Sequence, residues 1–240
     1  MTAYESQVQD TGIRNTSCFS SESLVKLTEI MYDKKWPANT SLYEEGDHAD
    51  KLYYLKSGSV KITKTSPDGK QIIMCIHQEG DLFGQVDPFQ QSTHAFRADT
   101  LEDTVIGVIQ QRDLEILLWR HGELAVEFMK WMGLMHRVTQ TKFRDLMMFG
   151  KPGALCSTLI RLSNSYGVQR NDGIYISSKQ THTDLAEMIG ATRESVNRML
   201  NDLKARGVLS YDQQHLVIHD INYLRDICHC ENCPKDICRM

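Results

Sequence analysis

Four of the seven cysteines of this 240-residue chain, Cys228, Cys230, Cys233 and Cys238, fall within its last thirteen positions, in the stretch "DICHCENCPKDICRM". Thiolates are ligands of iron–sulfur clusters and of zinc, and Cys230-x2-Cys233 followed by a four-residue gap to Cys238 suits either. Structural zinc could take all four thiols, or His229 in place of one of them. On spacing alone, zinc and a cluster stand level. A third chemistry is dithiol redox exchange at Cys230 and Cys233, but such pairs work at a helix start in a thioredoxin-like βαβ setting, which the surrounding sequence lacks. Cys18, Cys75 and Cys156 occur singly and read as ordinary buried or surface thiols.

A second set of residues could read DNA. In "THTDLAEMIGATRESVNRML", two short helical patterns flank Gly190 and Ala191. Thr181 with Asp184 fits a capping box, and Thr192 is a candidate N-cap for the second helix. Val196, Leu200 and Leu203 form its buried stripe, leaving Arg193, Glu194, Asn197 and Arg198 on other faces. This is a helix-turn-helix pattern, with arginine suited to guanine O6 and N7 and glutamate to cytosine N4. The bland alternative, a surface ion pair of Glu194 with Arg198, accounts for neither the caps nor the alternating "VLSYDQQHLVI" that follows as a hairpin wing.

These sites need elements to position them. From Leu42 to about Ile109 the chain is punctuated by Gly46, Gly58, Gly69 and Gly80, between short runs such as "LYYL", "VKITK" and "QIIMCI". Evenly spaced short strands predict an antiparallel roll or barrel. Beyond Arg112, Leu124, Phe128, Trp131, Met135 and Val138 recur at steps of four, three, four and three, the seam of a long helix. That seam serves packing on the chain's own β domain or pairing with a second copy, and Asp145 falls in phase with it. "GKPG" at 150–153 breaks the helix and makes a hinge. The resulting division is a flexible leader (1–20), a β-roll (21–111), a dimerisation helix region (112–149), a winged helix-turn-helix (150–222) and a cysteine tail (223–240), an α+β fold.

Composition narrows the classes further. Formal net charge is −4, with 41% hydrophobic and 24% charged residues, so any DNA-binding surface is local rather than a general basic coat. No apolar run approaches the roughly 20 residues that span a bilayer, and "MTAYESQVQDTG" is polar where a secretory signal is basic and then apolar. The expectation is a cytoplasmic protein without membrane attachment, whose thiols are kept reduced.

"DLAEMIGAT" followed by "RESVNRML" resembles the recognition motif of the Crp/Fnr family of bacterial transcription regulators, and the resemblance extends over nearly the whole chain. It implies a cyclic-nucleotide-type β-roll, a long dimerisation helix and a winged helix-turn-helix, acting as a homodimer on double-stranded DNA with RNA polymerase as partner, and no enzymatic activity. Positions matching Arg193, Glu194 and Arg198 read a TGTGA-like half-site in that family. The cyclic-AMP branch carries a glutamate and an Arg-Ser pair where this chain has Gln85 and Ser92–Thr93; Arg97 matches a different position. Without that arginine, a phosphate loses its charge-assisted partner. A small-molecule effector of the roll remains the runner-up.

The tail "CENCPKDIC", with "FMKWM" and "STLIRLSNSYGV", resembles the Bacillus type of Fnr. That resemblance implies a [4Fe-4S] cluster on Cys230, Cys233, Cys238 and Asp145, which would make the chain an oxygen-responsive activator of anaerobic genes. An all-cysteine set with Cys228 in place of Asp145 stays open at this level.

Overall fold

The structure, a computed structural model, describes residues 13–86 and 92–240. It divides into two compact units that meet in sequence between Thr139 and Gln140.

The first unit opens with α1 (Ser21–Glu29), whose N-cap Ser20 accepts a hydrogen bond from the Ser23 amide. Then come β1 (Tyr32–Trp36), β2 (Ser41–Tyr43), β3 (Lys51–Ser57), β4 (Ser59–Thr65), β5 (Gln71–Gln78), β6 (Leu82–Gly84), β7 (Arg97–Thr100) and β8 (Thr104–Gln110). They form two four-stranded antiparallel sheets, in the orders β1-β8-β3-β6 and β2-β7-β4-β5. This is the expected β-roll. The spaced glycines Gly46, Gly58, Gly69 and Gly80 all have positive φ, from 83° to 92°, as tight turns between short strands require. Inward side chains of both sheets, among them Tyr43, Leu55, Val60, Ile62, Phe83 and Ile106, make one core.

A second core lies under the helices. Helix α2 (Gln111–Arg120) leads into α3 (Gly122–Tyr166), and Leu124, Phe128 and Trp131 of α3 are buried with Leu27, Leu52, Ile109 and Leu114. Phe128 packs between Phe19 and Trp131 in tilted ring contacts, at centroid distances of 6.4 and 5.2 Å. Burying each such ring stabilises the unit by about 2–3 kcal/mol. Two expectations are corrected here. Leu124, Phe128, Trp131 and Met135 face their own roll rather than a second copy, and Val138 is only half-buried. The physical reason is that a 3.5-residue seam satisfies any apolar partner, and the roll supplies one. The apolar side chains that α3 leaves exposed in this unit are Val126, Met129 and Met132. Nor is the segment before Ser20 wholly a flexible leader. Residues 1–12 lie outside the described residues, but Asn15, Thr16 and Phe19 are buried. Asn15 bonds the backbone of Leu82 through both its amide nitrogen and its carbonyl oxygen.

The second unit starts inside α3, which is broken at Gly150, where φ is 59° and ψ is −164°. Only glycine adopts that conformation without strain. Beyond it come β9 (Gly167–Arg170), β10 (Gly173–Ile176), α4 (His182–Met188), α5 (Arg193–Ala205), β11 (Leu209–Asp212), β12 (His215–Ile218) and α6 (Ile221–Ile227). The four strands form one sheet, β11-β12-β10-β9. Leu155, Leu159, Leu162, Ile176, Leu185, Val196, Leu200 and Leu224 close its core.

Candidate metal centre and nucleic-acid interface

Asp145 is 3% exposed, although it lies on a helix flanked by the exposed Phe143, Leu146 and Met147. Its carboxylate accepts from Arg144 at 2.7 and 3.1 Å on Oδ1, and from Arg161 at 3.0 Å and the Ser157 hydroxyl on Oδ2. Ser157 and Arg161 are 12 and 16 residues further along the chain. On a straight helix they would lie about 18 and 24 Å away at 1.5 Å per residue. The break at Gly150 folds the helix back and brings them to hydrogen-bonding distance. The break expected at 150–153 lies within the second unit rather than between the two units, and there it builds the site.

The cysteine tail completes it. Asp145, Arg144 and Arg161 line one cavity with Cys228, Cys230, Cys233 and Cys238. All four residues expected to hold a cluster are therefore brought together. The tail is held along α3 by backbone bonds: Arg161 donates to the Ile237 carbonyl at 3.1 Å, Asn164 to the Cys238 carbonyl at 2.7 Å, and the Met240 amide to Ser165 at 3.1 Å. Arg144 also pairs with Glu231. Among the described residues, no three His, Cys, Asp or Glu side chains surround a single metal-ion position. The cavity itself measures about 20 Å³, room for a water. Around it, His229, Glu231, Asn232, Pro234 and Lys235 of the tail are exposed.

The thiols differ in setting. Cys228, at the C-cap of α6, is 3% exposed within the unit's core, and its thiol donates to the Arg225 carbonyl at 3.7 Å. Burial pushes its pKa up to about 12, with Cys230, Asp145 and Cys238 adding to the rise. Burial also raises Cys238, against the opposing pull of the Arg161 guanidinium. Cys156, buried beside Cys228, is likewise pushed up to about 12. It is a core thiol, as expected.

The DNA-reading element forms as its caps dictate. Thr181 accepts from the Asp184 amide while Asp184 accepts from the Thr181 amide, a complete capping box for α4. Thr192 accepts from the Ser195 amide at 3.2 Å to start α5. Val196, Leu200 and Leu203 are the buried stripe of α5, while Arg193, Glu194, Asn197 and Arg198 are all exposed. Among the described residues, no ion pair joins Glu194 to Arg198. The wing is the β11–β12 hairpin, closed by Gln213 and Gln214 with φ of 46° and 74°.

In the roll, Gln85 accepts from the Ala95 amide at 3.3 Å, Ser92 lends its carbonyl to Ala49, and Thr93 bridges His48. Arg97, the nearby cation, is taken by Asp99 and Glu44.

Sequence reasoning passed over Arg144, Ser157, Arg161, Asn164 and Ser165. One signal was there to read: Arg161 stands between Leu159–Ile160 and Leu162, and a buried charge at such a place is paired.

Two family models match the chain: the cyclic nucleotide-binding domain over residues 33–121 and the Crp-like helix-turn-helix domain over 153–227. The "Anaerobic regulatory protein" of Bacillus subtilis is 43% identical over 228 residues, covering 94% of this chain and 96% of that protein. The "CRP-like cAMP-activated global transcriptional regulator" of Mycobacterium tuberculosis is 27% identical over 82% of this chain and 88% of its own length. Among solved structures, a CooA mutant from Carboxydothermus hydrogenoformans superposes with a TM-score of 0.72 at 20% identity, over 84% of this chain and 89% of that one.

Proposed function

Since the chain belongs to the Crp/Fnr family of transcription regulators, we propose that it is an oxygen-responsive, homodimeric activator of anaerobic genes, controlled by a [4Fe-4S] cluster on Cys230, Cys233, Cys238 and Asp145. Its relatives and fold are those of DNA-binding regulators, not enzymes. The observation that carries the finer reading is the shared cavity. Asp145 is far from the tail in sequence, yet it lines one cavity with the three tail thiols, inside the unit that holds the helix-turn-helix. The name of the Bacillus subtilis relative points to the same physiology.

The donor set fits such a group. Three thiolates and a carboxylate concentrate negative charge, and the guanidinium groups of Arg144 and Arg161 line the same cavity and offset it. Cys228 is the weaker candidate for the fourth ligand, because its side chain belongs to the core and its thiol already donates to Arg225. A cluster held there would supply an oxygen-labile cross-link between the tail and α3. The chain's own part is to keep the tail in place, through Arg161, Asn164 and Ser165, and to hold the Asp145 carboxylate at its end of the cavity.

On DNA, Arg193, Glu194, Asn197 and Arg198 would read a palindrome of the form TGTGA, six bases, TCACA. Two copies would be joined along the exposed Val126, Met129 and Met132 of α3, and RNA polymerase would be recruited from the bound dimer. No helix among the described residues is long and apolar enough to cross a membrane, and we place the protein in the cytoplasm.

The test is anaerobic purification with iron, sulfide and zinc analysis. About four irons and four sulfides per chain are expected by the cluster's stoichiometry, with loss of specific DNA binding in air. Cys230→Ala, Cys233→Ala or Cys238→Ala should abolish the cluster, and Cys228→Ala should leave it. Stoichiometric zinc with DNA binding unchanged by air would overturn the reading. Arg198→Ala should weaken binding to the palindrome but not to scrambled DNA; equal loss on both would make it a phosphate contact.

A further inference from the structure

Cys75, which reads as an ordinary lone thiol in the sequence, is not alone in the folded roll. It and His77 are two apart on β5, so their side chains leave the same face of the strand. They stand opposite Ile62 and Val60, both buried, which makes that face the roll's interior. Cys75 Sγ lies 3.3 Å from His77 Nε2, and the other ring nitrogen, Nδ1, lies 3.5 Å from Asp81 Oδ2. The Asp81 carboxylate is fixed in turn by the amides of Asn15 at 2.9 Å and Gln78 at 3.1 Å. His77 is stacked on Phe83, with ring centroids 4.9 Å apart. The order is thiol, imidazole, carboxylate, each member oriented by the next.

The local chain builds this on purpose-made geometry. Gln78 to Asp81 form a tight turn, closed by a hydrogen bond from the Asp81 amide to the Gln78 carbonyl at 3.0 Å, with Gly80 at φ 88°. A Cβ at Gly80 would overlap the side chain of Arg14. The turn brings Asp81 back beside His77, four residues earlier. Because the carboxylate faces Nδ1 and the thiol faces Nε2, the two acids sit on opposite sides of the ring. That is a proton relay, not a chelate around one ion.

We propose that Cys75 is an activated thiol, held as a thiolate by His77 and Asp81, and that it is a site of oxidation by hydroperoxides inside the β-roll, separate from the cysteine tail. An imidazolium next to a thiol stabilises the thiolate, which is the nucleophile. The charge is kept on His77: burial works against it, but Cys75 and Asp81 outweigh burial and raise its pKa to about 9. The Tyr43 phenol of β2 also interacts with Cys75, and burial, with the Cys75 charge adding to it, drives its pKa upward, so it stays neutral.

The step balances. The thiolate sulfur attacks one peroxide oxygen, a sulfur–oxygen bond forms and the oxygen–oxygen bond breaks. Sulfur loses two electrons and the peroxide gains them. The departing hydroxide takes the proton of the His77 imidazolium and leaves as water, giving a cysteine sulfenic acid. Cys75 is only half-buried, so a molecule as small as hydrogen peroxide has access.

The full-length protein, reduced and then exposed to hydrogen peroxide, is quenched with catalase and denatured in iodoacetamide. The fraction of each cysteine that escapes alkylation is read by peptide mass spectrometry. Cys18 is the comparison, a half-buried thiol of the same unit. At pH 7 Cys75 should oxidise about tenfold faster than Cys18, as expected for a thiolate set against a mostly protonated thiol. His77→Asn should bring it down to the Cys18 rate. If that variant does not fold, the pH profile of the unaltered protein decides. Between pH 6 and pH 8 the Cys75 rate should stay nearly flat, while the Cys18 rate rises with its ionisation. Oxidation of Cys75 at the Cys18 rate, with the same pH dependence, would overturn the proposal.

Discussion

Replacing Arg161 by methionine keeps an unbranched apolar stem and removes the charge and the fork of donors. In the structure that fork makes three bonds: to Asp145 Oδ2 at 3.0 Å, to Thr141 Oγ1 at 3.2 Å and to the Ile237 carbonyl at 3.1 Å. Both charged side chains of the Arg161–Asp145 pair are 5% exposed, so solvent screens the interaction little. Removing one partner of a buried pair costs about 3–5 kcal/mol, mainly because the other charge is left without compensation. Here Arg144 and Ser157 still reach Asp145, which places the loss near the lower end, about 3 kcal/mol. Leaving the buried Ile237 carbonyl without its donor adds about 1 kcal/mol. The expected total is about 4 kcal/mol, measured by urea unfolding of reduced protein in a chelating buffer. Hydrogen exchange should show loss of protection at residues 237–240. Asp145→Asn added to Arg161→Met should recover part of the loss, because the stranded charge is then gone. A cost under about 1 kcal/mol with the tail still protected would show that Arg161 does not clamp the tail.

Three further outcomes are expected. Gly150→Ala forces a side chain into a backbone conformation that only glycine tolerates and should cost about 1–3 kcal/mol; in the same variant the Asp145–Ser157 contact should loosen, seen as faster exchange around both residues. Trp131→Ala should destabilise the roll unit by about 3–5 kcal/mol in thermal or urea unfolding. Trp131→Phe should cost much less, since the buried indole N–H has no hydrogen-bond partner among the described residues to lose. Met129→Glu with Met132→Glu places charges on the exposed side of α3 without touching its packed side, and should yield a folded monomer by sedimentation; a dimer that persists would move the interface elsewhere.

The local signals in the sequence were sufficient where the physics is local. The capping box at Thr181 and Asp184, the N-cap at Thr192, the stripe of Val196, Leu200 and Leu203, and the glycine-spaced turns of the roll all depend on residues a few positions apart. Each was readable because caps, helical period and turn conformation are set within one or two turns of chain. The break at Gly150 was readable for the same reason. Its consequence was not: that Asp145 would meet Ser157 and Arg161 depends on the direction in which the second helical segment leaves the break. Periodicity likewise showed that Leu124, Phe128 and Trp131 form a seam but not what covers it, because an apolar stripe has no preference between the chain's own roll and a second copy. The docking of the tail through Arg161, Asn164 and Ser165 and the alignment of Cys75, His77 and Asp81 belong to the same class. Hydrogen bonds need atoms about 3 Å apart, and only the folded chain brings residues distant in sequence to that distance.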